Sequence, residues 1–128
     1  MRIASLIARY LLALIFLVFG LNGFFHFIPM PPTPDGPASS FMGAMFLTHF
    51  LVVVFLLQIV PAVLLFANRY VPLALTLLGP VIVNIFLFHA FMQPSGLPLA
   101  FIVVILWLLV FRGVRPAFNG IFENYTAA

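Results

Sequence analysis

Four apolar runs, each close to the length that crosses a bilayer, constrain this chain more than anything else in it. A helix rises about 1.5 Å per residue and the hydrocarbon core is about 30 Å thick, so a span needs about 20 apolar residues. Residues 3–28, 41–67, 72–92 and 97–114 supply four such runs. With 66% hydrophobic and 5% charged residues, the chain cannot also clothe itself in a soluble surface. The expected fold is all-α: a single integral membrane domain over 1–128, a transmembrane four-helix bundle.

The ends of the runs carry helix punctuation. Ser39 or Ser40 can cap the second span, Pro72 opens the third in its first turn, and Gln93-Pro94-Ser95-Gly96 turns the chain before the fourth. Pro116 stops the fourth. Pro61 and Pro80 fall inside the second and third spans, where each removes a backbone donor, so kinks are expected in both. Gln58 and Thr76 sit beside the carbonyls that those prolines free, and satisfying backbone is their expected role. The first 28 residues have the basic start of a signal peptide. No small-residue cleavage site follows, so they are read as a mature helix.

Orientation follows from the arginines. With the N-terminus inside, Arg2, Arg9, Arg69, Arg112 and Arg115 all fall on the cytoplasmic side, giving an N-in/C-in topology. Arg9 and Arg112 are expected to snorkel to the inner surface. Five arginines against two acids make the chain basic, but without the cluster that nucleic acid requires, so no nucleic-acid partner is expected. Asp35 then lies outside, among five prolines from Pro29 to Pro37. That stretch reads as a stiff extended strap across the outer mouth of the bundle.

Polar residues in the outer half suggest a site. Asn22 and His26 are four residues apart, on one face of an ideal helix. Counting depth from the outer ends brings Asn22, His26, His49, Asn84 and His89 from three spans into the outer half, His26 and His89 nearest the boundary and the others deeper. These five are the candidate ligand-binding residues of an outer-leaflet pocket, walled by Phe24, Phe25, Phe86 and Phe88. Their structural alternative is interhelical or backbone bonding. The chain contains no cysteine, which excludes disulfides, thiol redox couples and thiolate metal sites within it. Neutral imidazoles suit a quinone carbonyl or a haem iron, with haem b between His26 and His89 as the lesser option. A three-histidine metal site would need ligands converging from mismatched depths, and no metal is expected. No catalytic residue is assigned, since no acid is available to orient a histidine beside a buried hydroxyl.

An internal echo links the two outward-running spans: Arg9-Tyr10 with Asn22 and His26, and Arg69-Tyr70 with Asn84 and His89. It fits two helical hairpins related by an axis along the membrane normal.

The stretches Asn22-Gly23-Phe24-Phe25-His26-Phe27-Ile28-Pro29-Met30-Pro31-Pro32 and Leu78-Gly79-Pro80-Val81-Ile82-Val83-Asn84-Ile85-Phe86-Leu87-Phe88-His89 resemble those of DoxX-like small bacterial membrane proteins, over nearly the whole chain. The resemblance implies a four-helix bundle in the bacterial cytoplasmic (inner) membrane. It also implies association with quinone-linked or thiol-stress redox complexes. At Gln58 many relatives are expected to carry Glu; its replacement here leaves the spans without a carboxylate and speaks against a proton relay. Two functions follow as expectations. One is a redox-associated accessory subunit binding a quinone-like lipophilic molecule in the outer pocket. The other is a non-catalytic membrane partner, scaffold or small-molecule carrier whose polar residues are structural. Either role leads to a homo-oligomer or a partner membrane protein, with membrane lipid around it.

Overall fold

The computed structural model describes residues 2–29 and 32–124. Five α-helices follow one another: α1 (Arg2–Phe25), α2 (Pro37–Leu47), α3 (Phe50–Ala67), α4 (Val71–Phe91) and α5 (Leu97–Gly113). Short 3-10 turns at Pro94–Gly96 and Arg115–Phe118 precede and follow α5. No strand occurs among the described residues. Four helical segments, Arg2–Phe25, Phe50–Ala67, Val71–Phe91 and Pro94–Gly113, are long and apolar enough to cross a membrane.

α1 packs on α3 and α5, and α4 packs on the same two helices. The bundle therefore runs α1, α3, α4, α5 around its axis, with α1 and α4 on one diagonal. All five arginines gather at the end where α1 begins and α5 ends, here the arginine end. The opposite end holds the proline-rich segment and is the proline end.

The outside of this bundle is as apolar as its inside. Leu14, Val53, Val60 and Ile105 are each about half exposed. A soluble bundle would place polar residues there, because water must solvate one face of each helix. Hydrocarbon is the solvent that suits these faces, and the chain is built as a multi-pass integral membrane protein.

The packed core is not centred. It takes Ala8, Leu12, Ala13 and Phe16 from the first two thirds of α1, and Ala62 and Leu65 from the last turns of α3. α4 adds Ala74, Leu75, Leu78 and Ile82, and α5 adds Val103, Leu106 and Val110. Most of these lie toward the arginine end, with Phe16, Ile82 and Val103 near the middle of their helices. Trp107 ties α5 to α4 there, donating its indole N–H to the Leu75 carbonyl at 2.9 Å and stacking on Phe111 with centroids 5.4 Å apart.

Toward the proline end, α1 and α3 approach through glycine. A Cβ on Gly20 would stand 2.7 Å from Ile59 Cγ1 and 3.3 Å from Gln58 Cβ, and one on Gly23 would enter the Phe55 ring. Small residues let membrane helices come close enough for dispersion to hold them. Gly20→Leu and Gly23→Leu should therefore each destabilise the bundle by about 2 kcal/mol through overpacking. Gly79 has no neighbour within 4 Å of its added Cβ. Gly79→Ala should instead gain about 0.5 kcal/mol from helix propensity. Reversible unfolding in one fixed detergent distinguishes the two classes of variant.

Several local expectations meet a different geometry. The second apolar run is not one helix: it divides at Thr48 and His49, with Phe50 beginning the span. Thr48 turns its hydroxyl back to the Ala44 carbonyl at 2.7 Å, and His49 takes a left-handed backbone, φ 62°. Gly36, with Pro37 in the first turn, starts α2, rather than Ser39 or Ser40. Helical structure from Pro37 also shortens the expected strap, of which Met30 and Pro31 lie outside the described residues. Pro61 and Pro80 both sit inside uninterrupted helices. The echo between α1 and α4 matches in bundle order but not in residues. Tyr10 lies within α1, whereas Tyr70 precedes α4 in a left-handed conformation, φ 52°.

Candidate functional site

At the proline end, the five residues expected to line a pocket mostly serve their own backbone. α1 stops at Phe25, and His26 takes a left-handed conformation with φ 53°. The shared helical face of Asn22 and His26 is thereby lost. Asn22 is buried and closes the helix end: its carbonyl accepts from the His26 N–H at 2.8 Å and its Oδ1 from the Ile28 N–H at 2.7 Å. A side-chain acceptor serves there because the N–H groups of the departing chain no longer find helical carbonyls. His26 itself is exposed.

His49 is exposed at the break between α2 and α3, not deep within a span. Asn84 faces outward from α4 and donates its amide to the Pro80 carbonyl at 2.8 Å. That bond satisfies a polar group that hydrocarbon could not. His89 is half-buried, with Nδ1 3.1 Å from the Gln93 carbonyl. Its ring fills the space that a Cβ on Gly96 would need, and it stands edge-on to Phe88 at 5.2 Å. His89 thus anchors the turn from α4 into α5.

These residues also belong to helices placed apart. Asn22 and His26 come from α1, and Asn84 and His89 from α4, the diagonal pair of the bundle. Among the described residues no three His, Cys, Asp or Glu stand close enough to hold a metal ion. Of the expected aromatic walls, Phe86 packs edge-on to Phe101 at 5.1 Å, and Phe88 meets Phe41 of α2 at 5.7 Å. Phe86 and Phe101, with Val83, Val104 and Trp107, line an open apolar groove of about 510 Å³ between α4 and α5.

The arginine end is built differently. A cavity of about 540 Å³ opens between the starts of α1 and α4 and the end of α5. Arg2, Ser5, Arg9, Asn68 and Arg112 supply its polar lining. Arg9 is only 8% exposed. It was expected to snorkel outward, yet its Nη1 donates to the Leu65 carbonyl, and its guanidinium carbon lies 4.5 Å from the Tyr10 ring centroid. The reason is local: carbonyls in the last turn of α3 lack helical partners, and a cation there also meets the negative end of the helix dipole. Asn68 ends α3 in a left-handed conformation, φ 53°, with its N–H on the Leu65 carbonyl at 3.3 Å.

Read as topology markers alone, the arginines hide this cavity. Arg2, Ser5 and Arg9 nevertheless follow a spacing of three and four residues, which places them on one face of α1. Arg112 reaches the same place because α5 returns alongside α1. Gly113 allows that approach, since a Cβ there would meet Ser5 Oγ.

No family model, curated protein or solved structure matches this chain.

Proposed function

We propose that the chain is a non-catalytic membrane partner: a small multi-pass body, N-in and C-in, whose role is to bind and support other membrane components. One observation carries this reading. The side chains of Asn22, Thr48, Thr76, Asn84 and His89 each hydrogen-bond to backbone within six residues of themselves. Groups committed in this way hold turns and helix ends, as polar residues in membrane helices commonly do. The gathering of all five arginines at one end supports the inside placement of both termini. The DoxX-like resemblance supports the bacterial inner membrane as its location.

A second reading keeps the redox role: an accessory subunit holding a quinone-like lipophilic molecule. The apolar groove beside Phe86 and Phe101 favours it, having room for an aromatic head and part of a prenyl tail. Among the described residues no histidine lines that groove, so a carbonyl donor from the exposed imidazoles of His26 and His49 requires the head group to sit outside it, at the proline end.

One experiment separates the two. The purified protein in nanodiscs is titrated with a fluorescent quinone analogue, alongside His26→Ala/His49→Ala and Asn22→Ala variants. The partner role predicts no saturable binding by any of them. It also predicts a loss of about 1 kcal/mol of stability in Asn22→Ala, where a helix-closing acceptor is removed. Saturable binding by the wild-type protein would overturn it in favour of a quinone site, at the proline end if the double histidine variant abolishes binding and in the apolar groove if it does not.

A further inference from the structure

We propose that the cavity at the arginine end is a binding site for a phosphate-bearing anion, either the phosphate of a lipid headgroup or free phosphate. Arg2, Arg9 and Arg112 are its ligands. The site goes beyond the partner role and does not depend on it.

Charge makes the first step. Three arginines line one cavity of about 540 Å³, and among the described residues no carboxylate lines it with them. The chain has only two acids, Asp35 and Glu123. Asp35 lies in the proline-end segment, and Glu123 is exposed beyond the last 3-10 turn, outside the cavity lining. Like charges at 4 Å repel by about 1 kcal/mol in water and about 4 kcal/mol near a protein surface. Burial of Arg9 raises that cost, so the cluster calls for a counter-charge that no side chain among the described residues provides.

Geometry makes the second. Arg9 spends one N–H on the Leu65 carbonyl and rests its face on Tyr10, which fixes the plane of its fork and leaves further donors for the cavity. A held, planar guanidinium is suited to the oxygens of a phosphate. The Ser5 hydroxyl and the Asn68 amide add neutral donors to the same lining. The helix ends around the cavity offset each other, two starting and two finishing there, so the guanidinium groups set its sign.

The remaining arginines serve as topology markers alone. Arg69 and Arg115 are exposed, as Arg2 and Arg112 are, but unlike them they do not line the cavity. They provide a charge-matched control, because removing either pair lowers the net charge equally.

The test compares wild type with Arg2→Gln/Arg112→Gln and Arg69→Gln/Arg115→Gln. Each is reconstituted in phosphatidylcholine nanodiscs with or without phosphatidylglycerol, and each is titrated with inorganic phosphate in lipid-free detergent. Arg9 stays in place because it supports the fold. Arg112→Gln alone replaces the double variant if the latter unfolds below the working temperature. Loss of charge-assisted hydrogen bonds should weaken anion binding at least about tenfold in the cavity variant and less than about twofold in the control. Phosphatidylglycerol retained through native mass spectrometry, and not displaced by phosphate, assigns the anion to a lipid. Saturable phosphate binding without lipid assigns it to a free anion; both results support the site. Equal retention of phosphatidylcholine, equal weakening in both variants, or no binding of either anion would overturn it.

Discussion

Trp107→Ala is expected to lower the unfolding free energy by about 3 kcal/mol, near the lower end of the range for large-to-small core changes because Trp107 is only half-buried. The indole joins α5 to α4 through its N–H to the Leu75 carbonyl, and within α5 it stacks on Phe111, itself packed against the core. Trp107→Phe preserves most of the ring contact and removes only the donor. Its loss should be about 1 kcal/mol, the scale of one interhelical hydrogen bond in a membrane. The two variants, unfolded under one set of detergent conditions, apportion the joint between packing and hydrogen bonding. Equal losses would mean that the donor alone holds α5.

Arg9→Ala should cost about as much, for a different reason. It removes a charge-assisted hydrogen bond worth about 1.5–3 kcal/mol and a cation–π contact worth about 0.5–2 kcal/mol. The Leu65 carbonyl retains only the 3.3 Å bond from the Asn68 N–H. Partial overlap of these terms brings the expected loss to about 3 kcal/mol. Arg9→Lys keeps the charge at the end of α3 but not the planar group over Tyr10, and should recover about half of that loss. Thermal unfolding of the three proteins checks the order. A lysine variant as unstable as the alanine one would show that the flat stacking, and not the charge, fixes the end of α3.

The fold was legible because hydrocarbon makes length and apolarity nearly sufficient. Runs such as Val71–Phe91 need no amphipathic pattern to declare themselves. That same uniformity hides the interior. Helices apolar all round do not show which face turns inward, so the core around Leu12, Leu65, Leu75 and Leu78 could not be placed. The break at Thr48-His49 was invisible for a related reason. Neither residue is a proline or glycine, and a histidine in the left-handed region leaves no mark on the apolar run around it.

Depth counting failed at the proposed pocket because it presumes helix where the chain has already turned. His26 and His49 both sit in left-handed positions at helix ends, so His26 leaves the face of Asn22 and His49 lies at the start of α3, not deep within a span. Asn84 shows the converse. Its depth estimate took a polar side chain to face inward, whereas a bond to its own helix lets it face outward. At the other end, the arginine spacing on α1 was readable, but snorkelling was the obvious fate for each residue separately. Only the return of α5 past Ser5 makes a cavity of them.

The late start of the second span at Phe50 also bears on the bilayer itself. Its 18 residues cover about 27 Å, while the 24 of α1 cover about 36 Å. Two neighbours so unequal cannot both match one hydrocarbon thickness while upright. α1 must lean, or the lipid beside α3 must compress, at a cost of a fraction of a kcal/mol for each ångström of mismatch. The glycine contacts at Gly20 and Gly23 bind α1 to α3 where this difference accumulates. The molecule is thus suited to thinner bilayers, and acyl chain length becomes a determinant of how firmly its longest and shortest spans stay together.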